Sequence, residues 1–362
     1  MALGRLDIRA VRNLVGTSLV DLQAANVFYG ENGGGKTSVL ESVFILAMAR
    51  SFRSAQIKPV INHAEDECVV FGELQGPSGQ KTAVGVRRNR SGGFEAKVGG
   101  SAVSSASELA ENMPVQVINA QSFELLTGSP VDRRRYLDWG VFHVEQLYHK
   151  AWRRFQRSIK QRNSLLRHGK ISSAELASWN QEFIETGEQI DALRKAYLAQ
   201  LVPSFTSLLE RLSPGLAATE VRYRRGWDAK SNLGEALERS EKADREQGFT
   251  HVGPQRADLK LLLDGHDAGA TLSRGQQKLV VCALKLAQGQ VLGGQRDLPC
   301  IYLVDDLPSE LDSEHCQRVC EVLSELPAQV FLTCVEPDDI ARHWPEQPAM
   351  FHVEHGAIER IA

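Results

Sequence analysis

Gly30-Glu31-Asn32-Gly33-Gly34-Gly35-Lys36-Thr37 fits the spacing G-x-x-x-x-G-K-[ST] at every position. Glycines at this density let successive backbone N–H groups turn toward a polyphosphate; the lysine neutralises its outer phosphates, and the hydroxyl that follows ligates Mg2+. The plain alternative is a glycine-rich turn with an exposed lysine. A second stretch, Cys300-Ile301-Tyr302-Leu303-Val304-Asp305-Asp306, is an apolar run ending in two acids. Such a strand places carboxylates at the carboxyl edge of a parallel sheet, where Asp305 is the natural partner of Mg2+ and Asp306 can orient or deprotonate an attacking water. Standing alone it would read as a strand entering a solvated acidic turn; beside a phosphate loop the catalytic reading is stronger. A third stretch, Leu272-Ser273-Arg274-Gly275-Gln276-Gln277-Lys278, opens an apolar helix about thirty residues before the acidic strand. Ser273 and Gln276 fit a capping box, and a helix start bearing serine and glycine is also a phosphate-binding end. One chain cannot readily wrap both ends around a single γ-phosphate, so the economical arrangement is two chains, each phosphate loop facing the other's Ser273.

These stretches need elements to hold them. Short β-type runs at Gly4 to Ala10, Ser18 to Leu22, Asn26 to Tyr29, Cys68 to Leu74 and Thr82 to Arg87 alternate with glycine-rich breaks, and one helix, Lys36 to Ala49, is apolar on nearly every side and therefore buried. From Val131 to Leu212 the pattern turns helical. Trp152, Phe155 and Ile159 mark one segment, and Leu176, Trp179, Phe183, Ile190, Leu193, Tyr197 and Leu201 another, joined at His168-Gly169-Lys170 as an antiparallel helical hairpin. A β-type piece, Glu220 to Gly226, and a charged helix, Asn232 to Gln247, follow. Strand Asp258 to Leu263, helix Ser273 to Gln288, strand Cys300 to Val304, helix Ser313 to Leu326 and strand Gln329 to Thr333 then restore βα alternation. Alternation at both ends with helices between predicts an α/β core completed by the two halves of the chain.

Leu-Ser-x-Gly-Gln is the signature of ABC-type ATPases, and Ser309-Glu310-Leu311-Asp312 after the acidic strand is similar to their D-loop. Over nearly its whole length the chain resembles the RecF family of bacterial recombination mediators, related to the heads of the SMC proteins. The resemblance is carried by Arg12-Asn13, the phosphate loop with Leu40-Glu41-Ser42, Arg50-Ser51-Phe52-Arg53, and Gly128-Ser129-Pro130 followed by Arg133-Arg134-Arg135-Tyr136-Leu137-Asp138. Lys160-Gln161-Arg162-Asn163, His251-Val252-Gly253-Pro254, and the signature and acidic stretches above complete it. It implies an ABC-type ATPase head, a mixed sheet with a P-loop core plus an antiparallel β subdomain, over residues 1–130 and 250–362, with an inserted α-helical lobe at 131–249. It further implies ATP contacts from Gly30, Glu31, Asn32, Gly33, Gly34, Gly35, Lys36, Thr37 and Ser38 with Arg12, Mg2+ held by Thr37 and Asp305, and Ser273 with Gly275 serving the partner chain's ATP. Lys36 and Asp306 carry the catalysis, with Gln121 as the candidate Q-loop residue and Gln116 its rival. Two departures stand out: Asp306 sits where most ABC-type ATPases carry a glutamate, and Val330 to Glu336 supplies no switch histidine. Both point to slow turnover, with ATP acting as a dimerisation clamp. Loading of recombinase at gapped DNA, support of replication restart and SOS induction, and RecR and RecO as partners are implied by the resemblance alone.

The 362 residues hold Lys+Arg 42 against Asp+Glu 45, a net charge of −3, and 42% hydrophobic residues. That excludes a disordered chain, allows a sizeable core and gives no global hint of nucleic acid. Locally, residues 151–170 hold seven cations (Arg153, Arg154, Arg157, Lys160, Arg162, Arg167, Lys170) and no acid, with further clusters at Arg87 to Arg90, Arg133 to Arg135 and Arg222 to Arg225. Against the alternative of a solvated helix face, several such clusters favour a surface that tracks DNA phosphates, single-stranded or at a gapped duplex junction, with Arg153, Arg154, Arg157 and Lys160 as its centre. Arg256 and Asp258 lie either near the nucleotide or in a structural ion pair. No apolar run approaches the roughly 18 residues of a membrane span, residues 1–16 lack a signal-peptide core, and six cysteines lack CxxC spacing. A cytoplasmic protein is the expectation. The alternatives are the ATPase subunit of a transporter, against which stand the 237 residues between Lys36 and Ser273, and a non-hydrolysing ATP-dependent scaffold.

Overall fold

The strand Ala25–Tyr29 is buried from Ala25 to Phe28, as a central strand covered on both faces must be. In the computed structural model, which describes residues 2–76, 78–168, 173–296 and 298–361, it lies inside a six-stranded mixed sheet. The strand order is Ala357–Arg360, Ala349–Glu354, Ala25–Tyr29, Gln329–Cys334, Ile301–Val304, Val115–Ile118. All neighbours pair in parallel except the edge hairpin of the first two. Tyr29 aligns with Cys334, and Val304 with both Leu332 and Ile118. The residues that follow these strands therefore emerge along one edge.

A second, antiparallel sheet orders Leu14–Val20, Ala2–Val11, Glu67–Gln75, Lys81–Asn89, Phe94–Val98 and Ser101–Val103. Its last two strands were not among those expected, although Gly99-Gly100, both at positive φ, make the two-residue hairpin turn that pairs them. The helix Lys36–Met48 lies in a core shared by both sheets: Val39, Val43 and Leu46 share one apolar cluster with Leu6 and Val70 of the antiparallel sheet and Phe28, Phe331 and Phe351 of the mixed one. Each fully buried side chain of this kind contributes about 1.5–3 kcal/mol. Burial on all sides leaves this helix no solvent face, and its left-handed C-cap at Ala49 ends it cleanly.

The chain divides into two compact units: Met1–Phe123, Leu208–Pro214 and Arg274–Ala362, which hold both sheets, and Glu124–Ser207 with Gly215–Ser273. Residues 250–273, expected in the head, group with the helical lobe, because the strand Asp258–Leu263 pairs with Glu220–Arg224 and not with either larger sheet. The signature helix runs to Gln295, seven residues beyond its expected end at Gln288. Inside the helix, a Cβ at Gly289 would lie 1.9 Å from the Tyr302 hydroxyl, which donates to the carbonyls of Lys285 and Leu286, so the glycine makes room for that ring.

In the lobe, helices Pro130–Val144, Tyr148–His168 and Ser173–Leu212 follow one another, the last passing through Pro203. The expected turn at Gly169-Lys170 lies outside the described residues. Contacts Arg157 to Trp179 and Phe155 to Phe183 run in opposite directions along the two longer helices, so they pack antiparallel. Two fully buried arginines tie the lobe together. Arg162 meets Asp244 at 2.8 Å, donates to Thr250 Oγ1 at 2.6 Å and to Asn180 at 2.8 Å, and Asp244 also accepts from the His251 amide at 3.0 Å. Arg194 pairs with Asp138 at 2.7 Å and donates to the Pro254 carbonyl. Burial pulls the Arg162 guanidinium below its ordinary range, and Asp244 opposes that pull. Removing one member of such a pair leaves an uncompensated buried charge. Asp244→Asn is expected to cost the lobe about 3–5 kcal/mol, read as a lowered denaturation midpoint of lobe helicity; an unchanged midpoint would show that Arg162 is held by its neutral partners alone.

Candidate phosphate-binding site and basic surface

The loop after Ala25–Tyr29 can turn tightly because its glycines adopt what other residues avoid. Gly30 sits at φ +137°, and a Cβ there would lie 2.4 Å from the Val353 carbonyl; Gly35, at φ +124°, starts the helix. The C-terminal hairpin braces the loop from the other side, with the Gly356 amide donating to the Gly34 carbonyl at 2.8 Å. Asn13 donates to the same carbonyl at 2.9 Å and accepts from the Ser38 hydroxyl at 3.2 Å. Lys36 is buried and donates to the carbonyls of Gly30 and, at 3.0 Å, Glu31. The lysine thus spans the loop it belongs to, holding it open as a ring of amides ahead of a helix N-terminus.

A cleft of about 590 Å3 opens beside the loop, lined by Arg12, Asn32, Gly33, Lys36, Thr37, Arg53 and His63 among others. Arg12 reaches it from a left-handed backbone position and is held by a bidentate pair to the buried Glu41 at 2.9 and 3.0 Å, with Ser51 donating to the same carboxylate. That network accounts for Arg12, Leu40-Glu41-Ser42 and Arg50 to Arg53 recurring together in the sequence reading.

The acidic strand meets the loop directly. Thr37 Oγ1 donates to Asp305 Oδ1 at 2.9 Å, and Thr333 Oγ1, from the strand between them, donates to the same oxygen at 2.9 Å. Thr333 Oγ1 also accepts from the Asp306 amide at 2.8 Å, and Asp306 stands at φ +55° as the first residue of a tight turn into helix Leu307–Glu310. One hydroxyl and one carboxylate side by side at a helix N-terminus fit Mg2+, which keeps waters and phosphate oxygens for most of its ligands. Among the described residues no cluster of three or more His, Cys, Asp or Glu forms a protein-only metal cage. Thr333 was not picked out by sequence; only its place on the strand adjoining both motifs reveals it.

Gln121 lies exposed in the turn Ala120–Phe123, just past the strand Val115–Ile118 that aligns with the acidic strand. Gln116 instead is buried: it donates to Gln288 at 2.7 Å and accepts from Lys285 at 3.1 Å, a lysine whose burial lowers its pKa to about 8. A side chain committed in that way is not available at the loop. Lys278 of the signature helix, also missed, pairs with Glu310 of the D-loop at 2.6 Å and lies 5.6 Å from the Phe123 ring. Ser273, Arg274 and Gly275 are exposed at the start of that helix, and a Cβ on Gly275 would meet only open space. Asp312 caps the helix Ser313–Glu325, in which Cys316 and Cys320 are buried packing residues.

The basic stretch separates into two kinds of residue. Arg153, Arg154, Arg157 and Lys160 are exposed on Tyr148–His168. Arg154 is neutralised by Glu182, at 2.7 Å through both nitrogens, and Arg157 lies over the Trp179 ring. Arg162 is the buried partner of Asp244 and Lys170 lies outside the described residues, so the seven expected surface cations shrink. The cluster at Arg133 to Arg135 is likewise structural in large part: Arg133 pairs with Asp258 at 2.8 Å, and Arg134 donates to the Ala257 carbonyl. Asp258 is therefore in an ion pair, while Arg256 lies over the Phe249 ring.

The family model for the RecF/RecN/SMC N-terminal domain matches residues 2–359. The chain is 49% identical to the DNA replication and repair protein RecF of Azotobacter vinelandii, over 99% of this chain and 98% of that protein, and 47% identical to that of Stutzerimonas stutzeri, over 100% and 98%. Among solved structures, one of the recombination mediator protein RecF with ATP, in the RecFOR pathway, superposes with a TM-score of 0.88 at 25% identity, covering 99% of this chain and 97% of that one. The Smc head domain of Pyrococcus furiosus, at 15% identity and a TM-score of 0.59 over 99% and 95%, shares the fold.

The shared Asp305 oxygen gives a direct test. Thr333→Val keeps the branched shape and removes the hydroxyl. It is expected to weaken Mg2+-dependent nucleotide binding about tenfold, near 1.4 kcal/mol, in a titration with a fluorescent ATP analogue. An affinity unchanged in Mg2+ would show that Thr333 does not position Asp305.

Proposed function

Because the chain belongs to the RecF family, we propose that it is an ATP-dependent DNA-binding mediator of recombinational repair, in which ATP closes a dimer and is hydrolysed slowly. The single observation that carries this reading is the contact of Thr37 with Asp305, which joins the two halves of a nucleotide site across 268 residues of sequence. Full-length likeness to RecF proteins supports the repair context and removes the transporter alternative. No helix among the described residues is long and apolar enough to cross a membrane, consistent with a cytoplasmic repair protein.

Gly30 to Ser38 cradle the triphosphate with their amides, Lys36 turns its ammonium from the loop carbonyls toward the outer phosphates, and Arg12 flanks the cleft. Mg2+, when bound, supplies positive charge against the phosphate oxygens; Thr37 and Asp305 hold it. Asp306 orients the attacking water, and Gln121 approaches from the neighbouring strand end. Asp306 is one methylene shorter than a glutamate and Val330 to Glu336 holds no histidine, so water is gripped by fewer groups and turnover is slow. Ser273 and Gly275, exposed at a helix start, serve the nucleotide of a second copy. Arg153, Arg157 and Lys160, with Arg154 shared between Glu182 and solvent, take the phosphates of single-stranded or gapped DNA. RecR and RecO are the partners this assignment implies.

Two measurements test it. Light scattering should show dimers of the protein with ATP and monomers without it, while Lys36→Met should stay monomeric at ATP concentrations that saturate the wild type. Reversal of Arg153, Arg157 and Lys160 to glutamate should weaken DNA binding at least about tenfold and reduce the salt slope by about 2 for a single strand, at roughly 0.7 per phosphate contact. Normal ATP-induced dimers in the lysine variant would refute the clamp; an unchanged salt slope would refute the DNA surface.

A further inference from the structure

The helical lobe contains a second cavity, of about 810 Å3, which the nucleotide reading does not use. It lies where the strand Glu220–Arg224 leaves its small sheet, and Arg224, Arg225, Trp227 and Arg256 line it. Its two acids do not balance its cations. Asp258 is already paired with Arg133 at 2.8 Å, and Asp228 points its charge to Arg239 at 3.9 Å. Among the described residues, Arg224 and Arg256 have no carboxylate partner, and both are exposed. Arg225 is fixed by donating to the carbonyls of Asp228, at 2.5 Å, and Ser231, and its guanidinium lies 4.6 Å from the Trp227 ring.

Tyr223 Oη, Arg225 Nε and Trp227 Nε1, all on side chains of the lining, are buried and without a hydrogen-bond partner. Buried donors are almost always satisfied in folded proteins, so three orphans at one cavity, each able to donate, call for an acceptor that enters from outside. The surrounding cations make that acceptor an anion with several oxygens. A lone phosphate would leave most of the cavity empty, whereas a nucleotide also supplies a flat ring for the aromatic wall.

We infer that this cavity binds nucleotides of a nucleic-acid strand: Arg224 and Arg256 take the backbone phosphates, and the pair of Arg225 and Trp227 takes a base edge and its phosphate oxygens. The inference rests on the DNA-binding reading and adds a second contact site to it, lined by none of the cations of Tyr148–His168. It also gives the cluster Arg222 to Arg225 a function that charge counting left open: Arg222 is turned to Glu220 at 3.3 Å, and the other two face the cavity.

The test uses the full chain and an oligodeoxythymidylate about 12 nucleotides long, within the usual site size of single-strand binders. Arg224→Glu with Arg256→Glu should weaken binding at least about tenfold and lower the salt slope by about 1.4, two contacts at roughly 0.7 each, while ATP-induced dimerisation persists. Should the reversed pair not fold, Arg224→Gln with Arg256→Gln carries the same expectation at smaller size. Binding should quench tryptophan emission in the wild type, and most of that quench should vanish in Trp227→Phe. Unchanged affinity and slope in the arginine variants, or an unchanged quench in Trp227→Phe, overturns the cavity assignment while leaving the wider DNA reading intact. A wild type that binds no DNA overturns both. Thymidine monophosphate provides the remaining arm: quenching by it at the same nucleotide concentration would make this a free-nucleotide site and overturn the strand assignment.

Discussion

One carboxylate oxygen, Oδ1 of Asp305, accepts hydroxyl hydrogens from Thr37 and Thr333, each at 2.9 Å. The rest of the head is arranged so that this can happen. Asp305 and Thr333 sit at or in adjoining parallel strands, and Thr37 is in the first turn of the helix that the loop after a third opens; parallel strands in register bring their carboxyl ends to one edge by construction. The loop helix cannot drift, because its apolar faces are shared by two sheets, and the loop ahead of it is pinned by the hairpin Ala349–Glu354 and Ala357–Arg360 through Val353 and Gly356. A phosphate loop near residue 30 therefore depends on packing by residues beyond 350. Loss of the C-terminal hairpin would uncover the loop's back as surely as a change within it.

The lobe follows a different constraint, the desolvation of guanidinium groups. Arg162 and Arg194 have no exposed surface at all, and each is surrounded by acceptors: Asp244, Thr250 and Asn180 for one, Asp138 and the Pro254 carbonyl for the other. A buried charge of this kind is tolerated only with its partners in place, so it fixes which segments meet more strictly than an apolar contact of equal size. That explains why Lys160 to Asn163 and His251 to Pro254 stand out together in the sequence. They are two sides of one hydrogen-bonded junction, with Asn163 accepting from both the amide and the hydroxyl of Thr250. The role of Arg162 and Asn163 there is architectural.

What the sequence made legible was whatever is local. The phosphate loop, the acidic strand, the helix after it and the signature helix each carry their motif within eight or fewer consecutive residues, and the structure forms a loop, a strand and helix starts at those stretches. Residues defined only by a neighbour in space escaped: Thr333, a β-branched residue in a buried strand, and Lys278, one cation in a polar helix turn, have no local mark of their role. The same blindness ran the other way for arginine. Arg133, Arg154 and Arg162 look alike to Arg153 and Lys160 in a charge count, yet the first three are neutralised by Asp258, Glu182 and Asp244.

Subtracting the structural arginines changes what the near-neutral net charge of −3 means. With Arg162 buried and Arg154 paired, the exposed face of Tyr148–His168 offers a single copy few phosphate contacts. Few contacts give weak binding that salt removes readily. A second copy joined by ATP would double those contacts while the first strand segment holds the next one close, which raises the effective local concentration of DNA for the second surface and multiplies affinity without any new type of contact. A strongly basic protein would bind DNA as a monomer and gain little from the clamp. On the proposed reading, weak cationic faces would make DNA binding conditional on the nucleotide, which suits a clamp closed by ATP.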